Sequence, residues 1–406
     1  MEKAQTVVVG AGASGLMAAL TAARRGSVLL LEGSEKPARK LLATGNGRCN
    51  LTNLDISPTH YHGDREEAVA FLERWPAERV IKKFQTLGLL TRMDSEGRVY
   101  PNSLQAAAVA GCLLSACREA GVKLECGFRV ERISQKNDRF RITAGDGRAV
   151  LAKYCILSCG GKASPKHSTG SGYELARRLG HTVTELSPSL VGLAVPGKLT
   201  RPLKGMRCCA RAALCLDGRE VCAESGEVIF GDGSVSGICV MNLSARLRGL
   251  GPGKLSLCLD LLESMGVDEL TSYLADCCRA YPSRPARELF AGALNLRVGQ
   301  ELAKALALDG PLSRLDASQL ERAAQLVKAF TLSVQGPLSW EHAQATAGGV
   351  PLAEVDLRGM ESKICPGLFL TGELLDLDGD CGGYNLHWAW ATGLAAGSAA
   401  PHTHLR

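Results

Sequence analysis

A short β-branched run, Thr6 to Val9, leads straight into Gly10-Ala11-Gly12-Ala13-Ser14-Gly15, and Ser14 to Arg25 continues as Ala/Leu-rich sequence to Gly26. Strand, glycine turn and helix, in that order, fix what the start of this chain can be. In a G-x-G-x-x-G turn the first glycine allows the tight bend, and the second lets the backbone reach a pyrophosphate at the positive end of the helix. The third lets helix and strand pack closely. Gly10, Gly12, Ala13, Ser14 and Gly15 are therefore expected at a dinucleotide. Val28 to Glu32 reads as the second strand, and Glu32 lies at its end, where a carboxylate accepts both ribose hydroxyls and repels a 2′-phosphate. The stretch from Ala4 to Ala23 lacks charge and resembles a signal peptide or short membrane span. Its three glycines favour a buried βα unit, so no membrane segment is expected and the reading is a cytoplasmic protein.

A chain of 406 residues exceeds the roughly 250 to 300 residues that one core supports, which predicts two or three domains. Glycine, with 46 copies, is enriched in the way of chains with many tight turns. The net charge of +6 is small and spread out, and no basic stretch is interleaved with aromatic residues. Nucleic acid is therefore not expected as a partner, and a small-molecule substrate is. Sixteen cysteines occur without any C-x-x-C spacing, which reads as reduced, packed thiols and no metal site.

Further strands are expected at Lys123 to Cys126 and Phe128 to Ile133. A hairpin through Phe140 to Thr143 and Ala149 to Ala152 follows, and then a buried strand from Lys153 to Ser158 ending at Gly160-Gly161. From Leu190 short strands separated by Gly, Pro and Asp suggest an antiparallel barrel or small sheet, and from Asp268 helical spacing takes over. After the break at Gly336-Pro337 the last section again reads strand, glycine turn, helix. The resulting division is α/β. Residues 1–189 and 337–406 form a discontinuous Rossmann-like domain, residues 190–262 and 329–336 a β-barrel-like insert, and residues 263–328 a helical insert.

The C-terminal section selects FAD over NAD. Leu368 to Glu373 is a strand ending in a carboxylate at Gly372-Glu373, placed to hold ribityl hydroxyls. Gly382-Gly383-Tyr384-Asn385 then opens the helix from Leu386 to Gly397, whose positive end suits the flavin edge that gains negative charge on reduction. Only one dinucleotide fold is visible, so NAD(P)H is expected as a transient co-substrate.

These segments together resemble the BaiN/YhiN-like bacterial flavoproteins, a family of NAD(P)/FAD-dependent oxidoreductases. The resemblance is carried by Val9 to Leu16, Arg39 to Asn53 with its Arg48-Cys49-Asn50 core, Thr346-Ala347-Gly348-Gly349-Val350 and Gly382 to Leu386, and it covers nearly the whole chain. It implies a glutathione-reductase-type FAD domain interrupted by a β-barrel-like and a helical segment. It also implies that the Arg48 to Asn50 loop lies against the flavin. Arg48 or Lys40 would then neutralise the pyrophosphate, Asn50 would bond the flavin's pyrimidine or N5 edge, and Cys49 would pack or position. Val130 is a candidate for backbone contact with adenine, and Gly160, Gly383, Asn385 and Leu386 complete the expected cofactor set. Two departures stand out: Ser158-Cys159-Gly160-Gly161 replaces a common Ala-Thr-Gly-Gly, and His387 stands where Gln is frequent.

Asn50, Tyr384 and Asn385 are the candidates for catalysis. His387, Trp388 and Trp390 read as core in preference to substrate face, and His167, Tyr173 and Glu341-His342 as surface. The expected activity is hydride exchange between flavin N5 and a small organic substrate. For one bile-acid-associated branch the resemblance implies reduction of C=C bonds in an unsaturated ring ketone. An FAD oxidase using oxygen, or a flavin redox sensor binding a protein partner, are the alternatives.

Overall fold

The computed structural model describes residues 2–400. Its chain contacts divide it into two units, Met1–Ser189 with Ala343–Arg406, and Leu190–His342.

The first unit is built on a parallel sheet. β1 (Glu2–Val9) pairs on one side with β2 (Val28–Leu31), which pairs with β3 (Lys123–Glu125). The apolar run Val28-Leu29-Leu30-Leu31 is buried at every position, as a central strand covered on both faces must be. β4 (Val130–Lys136) and β5 (Arg139–Ala144) form an antiparallel flap joined to β6 (Ala149–Leu157). The hairpin arm and the buried strand expected as two pieces are thus one strand. The first half of β6 pairs with β5 and nearly its whole length runs parallel to β1. Between β1 and β2 lies α1 (Ala13–Ala22), buried along nearly its whole length.

The second unit forms its own core. β7 (Leu193–Ala194), β8 (Arg207–Leu216), β9 (Arg219–Gly231), β10 (Ser234–Ser236) and β11 (Leu255–Asp260) precede three helices, α2 (Val267–Ala280), α3 (Leu296–Ala305) and α4 (Ala317–Lys328). Then come β12 (Phe330–Ser333) and β13 (Gly336–Pro337). The antiparallel sheet runs β12-β11-β8-β9-β10-β7-β13, so its two edges are occupied by segments nearly adjacent in sequence. A few residues cannot span an open seven-stranded sheet at about 3.3 Å each. Its edges must therefore curl together, and Val334 N–H donates to Leu255 on one edge while Gln335 N–H donates to Ala194 on the other. Gly336-Pro337 thus belongs to this unit's sheet, and the return to the first unit falls at Ala343 rather than at 337. Within the segment of helical spacing, Ala286–Glu288 forms only a 3-10 turn.

Back in the first unit, β14 (Leu368–Leu370) pairs parallel with β6, and α5 (Tyr384–Ala399) lies along α1. Close approach of these two helices is made possible by glycine. A methyl at Gly393 would stand 2.4 Å from the Ser14 carbonyl oxygen, and one at Gly397 2.4 Å from that of Ala18. Among the described residues no helix is long and apolar enough to cross a membrane.

Candidate functional site

Four parallel strands end in register. Leu31, Val9, Leu157 and Leu370 are neighbours across the sheet, and the residues that follow them are Glu32, Gly10, Ser158 and Thr371-Gly372-Glu373. A cavity of about 570 Å³ opens at this carboxyl edge, which is where ligands of open α/β sheets bind.

The glycine turn shapes one wall. Gly10 has φ +103°, and a methyl on it would meet the Ser158 carbonyl oxygen at 2.4 Å; a methyl on Gly15 would stand 1.8 Å from the Gly10 carbonyl oxygen. Gly12 by contrast has no atom within 4 Å of where a Cβ would be, so its backbone faces open space at the start of α1. Glu32 closes one end. Its Oε2 accepts the Ala11 N–H at 2.9 Å and its Oε1 the Ser34 N–H at 2.8 Å. A carboxylate offers about four acceptor sites, so both hydroxyls of a ribose still find lone pairs there.

At the other end stands Glu373, whose Oε1 accepts the Thr346 N–H at 2.8 Å while Oε2 pairs with Lys40 at 2.5 Å. Tyr173 donates its hydroxyl to the Glu373 carbonyl at 3.0 Å. Gly10, Gly12, Ala13, Ser14, Glu32, Lys40, Val130, Gly160, Glu373, Asn385 and Leu386 all line this one cavity. The sequence reading missed Arg39, Arg129, Arg178 and Gln344 on its walls, and set His167 aside as surface although it too lines the cavity. Nothing in their local sequence marks them, because α/β folding brings them in from five separate segments.

Several expectations need correction. Arg48 is exposed and does not line the cavity, and Lys40 is bound to Glu373 rather than standing as a free cation beside the pyrophosphate position. Cys49 is fully buried at φ +60°, and burial pushes its thiol up to about 12, so it is no thiolate. The Asn385 amide is consumed by the loop before it: Oδ1 accepts the Gly379 N–H at 3.0 Å and Nδ2 donates to the Gly379 carbonyl at 2.6 Å. Its side chain therefore holds the turn. Tyr384 is buried against His60. It lies outside the cavity lining, as do Gly15, Cys49, Asn50, Gly372 and Gly383.

His387, Trp388 and Trp390 are core. His387 Nε2 donates to the Trp75 carbonyl at 2.7 Å, leaving Nδ1 facing the Thr52 hydroxyl at 2.8 Å, and burial pulls its pKa down to about 4. The two indoles donate to the carbonyls of Gly372 and Leu51, at 3.2 and 3.0 Å. This buried comb ties α5 to the Leu51–Asn53 segment and to the Gly372 turn.

Among the described residues, one of the buried polar atoms without a hydrogen bond lies in the first unit beside α5. Asn50 Oδ1 is sealed from solvent with no hydrogen bond, beside Gly383, where a methyl would stand 2.8 Å from it. An unmet buried acceptor costs about 1 to 3 kcal/mol. The N–H of a flavin's pyrimidine edge is a donor of the kind it requires, so the residues present fit FAD.

The profile of the HI0933-like protein Rossmann domain matches residues 4–399. The chain belongs to this family. It is accordingly an FAD-dependent oxidoreductase with the Rossmann fold. It is 39% identical over 403 residues to a 3-dehydro-bile acid delta(4,6)-reductase of Clostridium scindens, covering 97% of this chain and 98% of that protein. It is 26% identical over 408 residues to a ribosomal RNA dihydrouridine synthase of Escherichia coli, covering 97% of each. Among solved structures, a 3-ketosteroid-delta4-(5alpha)-dehydrogenase of Rhodococcus jostii superposes with a TM-score of 0.53 at 15% identity, covering 99% of this chain and 97% of that one. The last shows the fold.

Proposed function

We propose that this protein reduces a carbon–carbon double bond conjugated to a ring ketone, with FAD as hydride carrier and NAD(P)H as donor. The observation that carries the reading is one cavity with a carboxylate at each end, Glu32 and Glu373, in a chain 39% identical to a bile-acid reductase. FAD supplies a hydride at N5. The start of α1 and the open face at Gly12 hold the pyrophosphate, and Glu32 takes the adenosine ribose. Glu373 takes the ribityl chain, with Lys40 paired to its Oε2. Asn50 and the N-terminus of α5 hold the pyrimidine edge, where charge grows on reduction.

The E. coli relative's name points to another substrate, since the uridine C5–C6 bond is also conjugated to a carbonyl. Surface charge favours a small molecule. Residues 190–342 carry 17 Lys and Arg against 16 Asp and Glu. Arg201, Arg207, Arg211 and Arg246 there are paired with Asp232, Glu227, Glu220 and Glu224. RNA binding depends on cations free to replace counterions.

The test is anaerobic. The purified yellow protein is reduced with NADH or NADPH, and a 3-keto-Δ4 steroid is then added without donor. Flavin reoxidation with formation of the saturated ketone is expected, with ping-pong kinetics in the steady state. Reoxidation only by oxygen would favour an oxidase, and conversion of uridine in ribosomal RNA but not of the steroid would move the substrate to RNA.

A further inference from the structure

Beside the N-terminus of α5, outside the cavity lining, lies a polar cluster that the reading above does not use. His60 stacks on Tyr384, with ring centroids 4.5 Å apart and planes 19° from parallel. Its Nδ1 faces Asp380 Oδ2 at 3.2 Å and its Nε2 faces Asp55 Oδ2 at 3.2 Å. A carboxylate facing each nitrogen favours a proton on each, and so the charged form of the ring. The two sides differ. Asp380 has a side chain 5% exposed and is held from behind by His62 Nε2 at 2.8 Å, whereas the Asp55 side chain is 67% exposed.

One nitrogen is therefore anchored to a buried carboxylate and the other points outward against a weak, solvated one. That is the arrangement that orients an acid–base histidine. Its place in the fold is suggestive. A methyl on Gly382 would touch the Tyr384 ring at 2.9 Å, and Gly383, the next residue, adjoins the unpartnered Asn50 carbonyl. The stack is thus one residue from the point assigned to the flavin's pyrimidine edge.

We propose that His60 is the proton donor of the reduction, with Asp380 and His62 as positioning residues and Tyr384 as the platform under its ring. The inference rests on the proposed enone reduction. Hydride from the reduced cofactor forms a C–H bond at the β-carbon of the conjugated system, and the π bond breaks. Its electron pair takes the Nε2 proton of His60 at the α-carbon, which gives the saturated ketone and a neutral imidazole. His60 regains its proton from water at the exposed Asp55 side.

The groups facing His60 are Asp380 and Asp55, with Tyr384 beneath the ring, His62 behind Asp380, and Cys381 and Arg98 beyond. The hydrogen bond to Asp380 is the largest influence on the ring and holds its pKa above the ordinary histidine value. Turnover should therefore fall as pH rises past that raised pKa.

The test uses the FAD-loaded enzyme and its His60→Gln, Asp380→Asn and Asp55→Asn variants. With His60→Gln, kcat for steroid reduction should fall roughly 100-fold or more, while FAD affinity stays within about threefold of wild type. Histidine NMR titration of the same proteins supplies a readout independent of turnover. His60 should titrate above the ordinary value in wild type, lower in Asp380→Asn, and by a smaller margin lower in Asp55→Asn, each shift matched by the falling limb of the pH–rate profile. If His60→Gln fails to fold, the two Asp variants still decide. Wild-type kcat in His60→Gln, or a His60 that titrates at or below the ordinary value, overturns the proposal alone. A wild-type enzyme whose reduced flavin ignores the steroid overturns the enone reading, and the proposal falls with it.

Discussion

The two ends of the cavity are built by different means. The Glu32 end is made of backbone: a left-handed Gly10, a Gly15 packed on the Gly10 carbonyl, an open Gly12, and Glu32 fixed by two main-chain N–H groups. The α5 end is made of side chains from distant segments, where Lys40 meets Glu373, Thr52 meets His387 and Trp390 meets the Leu51 carbonyl. A backbone-built end has no substitutes for its residues. A side-chain-built end distributes its function, so its members should fail by degrees and reveal themselves through pH.

The sharpest break in that comparison is Gly15→Ala. The added methyl would lie 1.8 Å from a main-chain oxygen that cannot swing away, so the turn must open. A destabilisation of at least about 3 kcal/mol is expected, with little or no FAD retained. Urea unfolding and flavin content of the purified variant measure both. A variant that stays yellow with an unchanged midpoint would show that the turn is softer than its geometry.

At the other end the corresponding effect is pH-dependent. His387 is neutral in the fold with a pKa of about 4, while in the unfolded chain it takes up a proton near 6.5. Between these values the unfolded state binds more protons, so this contribution to stability is complete above pH 6.5 and is lost as pH falls toward 4. That separation corresponds to about 3 kcal/mol. His387→Gln, which keeps a donor and an acceptor and cannot charge, should flatten the difference between unfolding curves at pH 7.5 and pH 4.5. An equally steep acid loss in the variant would assign it to other groups.

Glu32→Ala returns to the backbone-built end with a graded loss. Removing charge-assisted hydrogen bonds worth about 1.5 to 3 kcal/mol should raise the FAD dissociation constant roughly 10- to 150-fold. The rate of flavin reduction at saturating FAD should change little. Because Glu32 also ties Ala11 to Ser34, some loss of thermal stability should accompany the weaker binding. Undiminished affinity would place the ribose elsewhere.

This contrast also explains what could be read without coordinates. Gly10, Gly12 and Gly15 were legible because backbone sites need glycine at fixed spacing, and Glu32 because one strand length separates it from them. Asn385 lines the cavity, but that its side chain clamps Gly379 could not be read, since such a side chain is indistinguishable in sequence from one aimed at a ligand. The division near Leu190 was visible in strand texture. The return at Ala343 was not, because Gly336-Pro337 looks like a break and is instead the last edge of a curled sheet. His60 and His62 carried no signal at all, since their partner Asp380 lies about 320 residues away.

The smallest expected effect concerns Cys49, which lies in the most distinctive segment of the chain and should matter least to the chemistry. Its side chain is fully buried, and burial pushes its thiol up to about 12. At pH 8 only about one molecule in 10⁴ would hold a thiolate, the form that attacks. Exposed Cys209 should therefore be alkylated long before Cys49 when the native protein is treated with iodoacetamide and mapped by mass spectrometry. Cys49→Ala should keep FAD and hold steroid turnover within about threefold, with a stability loss near 1 kcal/mol for the small void. Its φ of +60° is an uncommon conformation for a residue with a side chain, so Cys49→Gly should relax the backbone while deepening the void. The two variants together separate packing from strain. A Cys49→Ala enzyme that binds FAD normally yet has lost turnover would show that the thiol takes part in the chemistry, and that the side-chain-built end contains one member with no substitute.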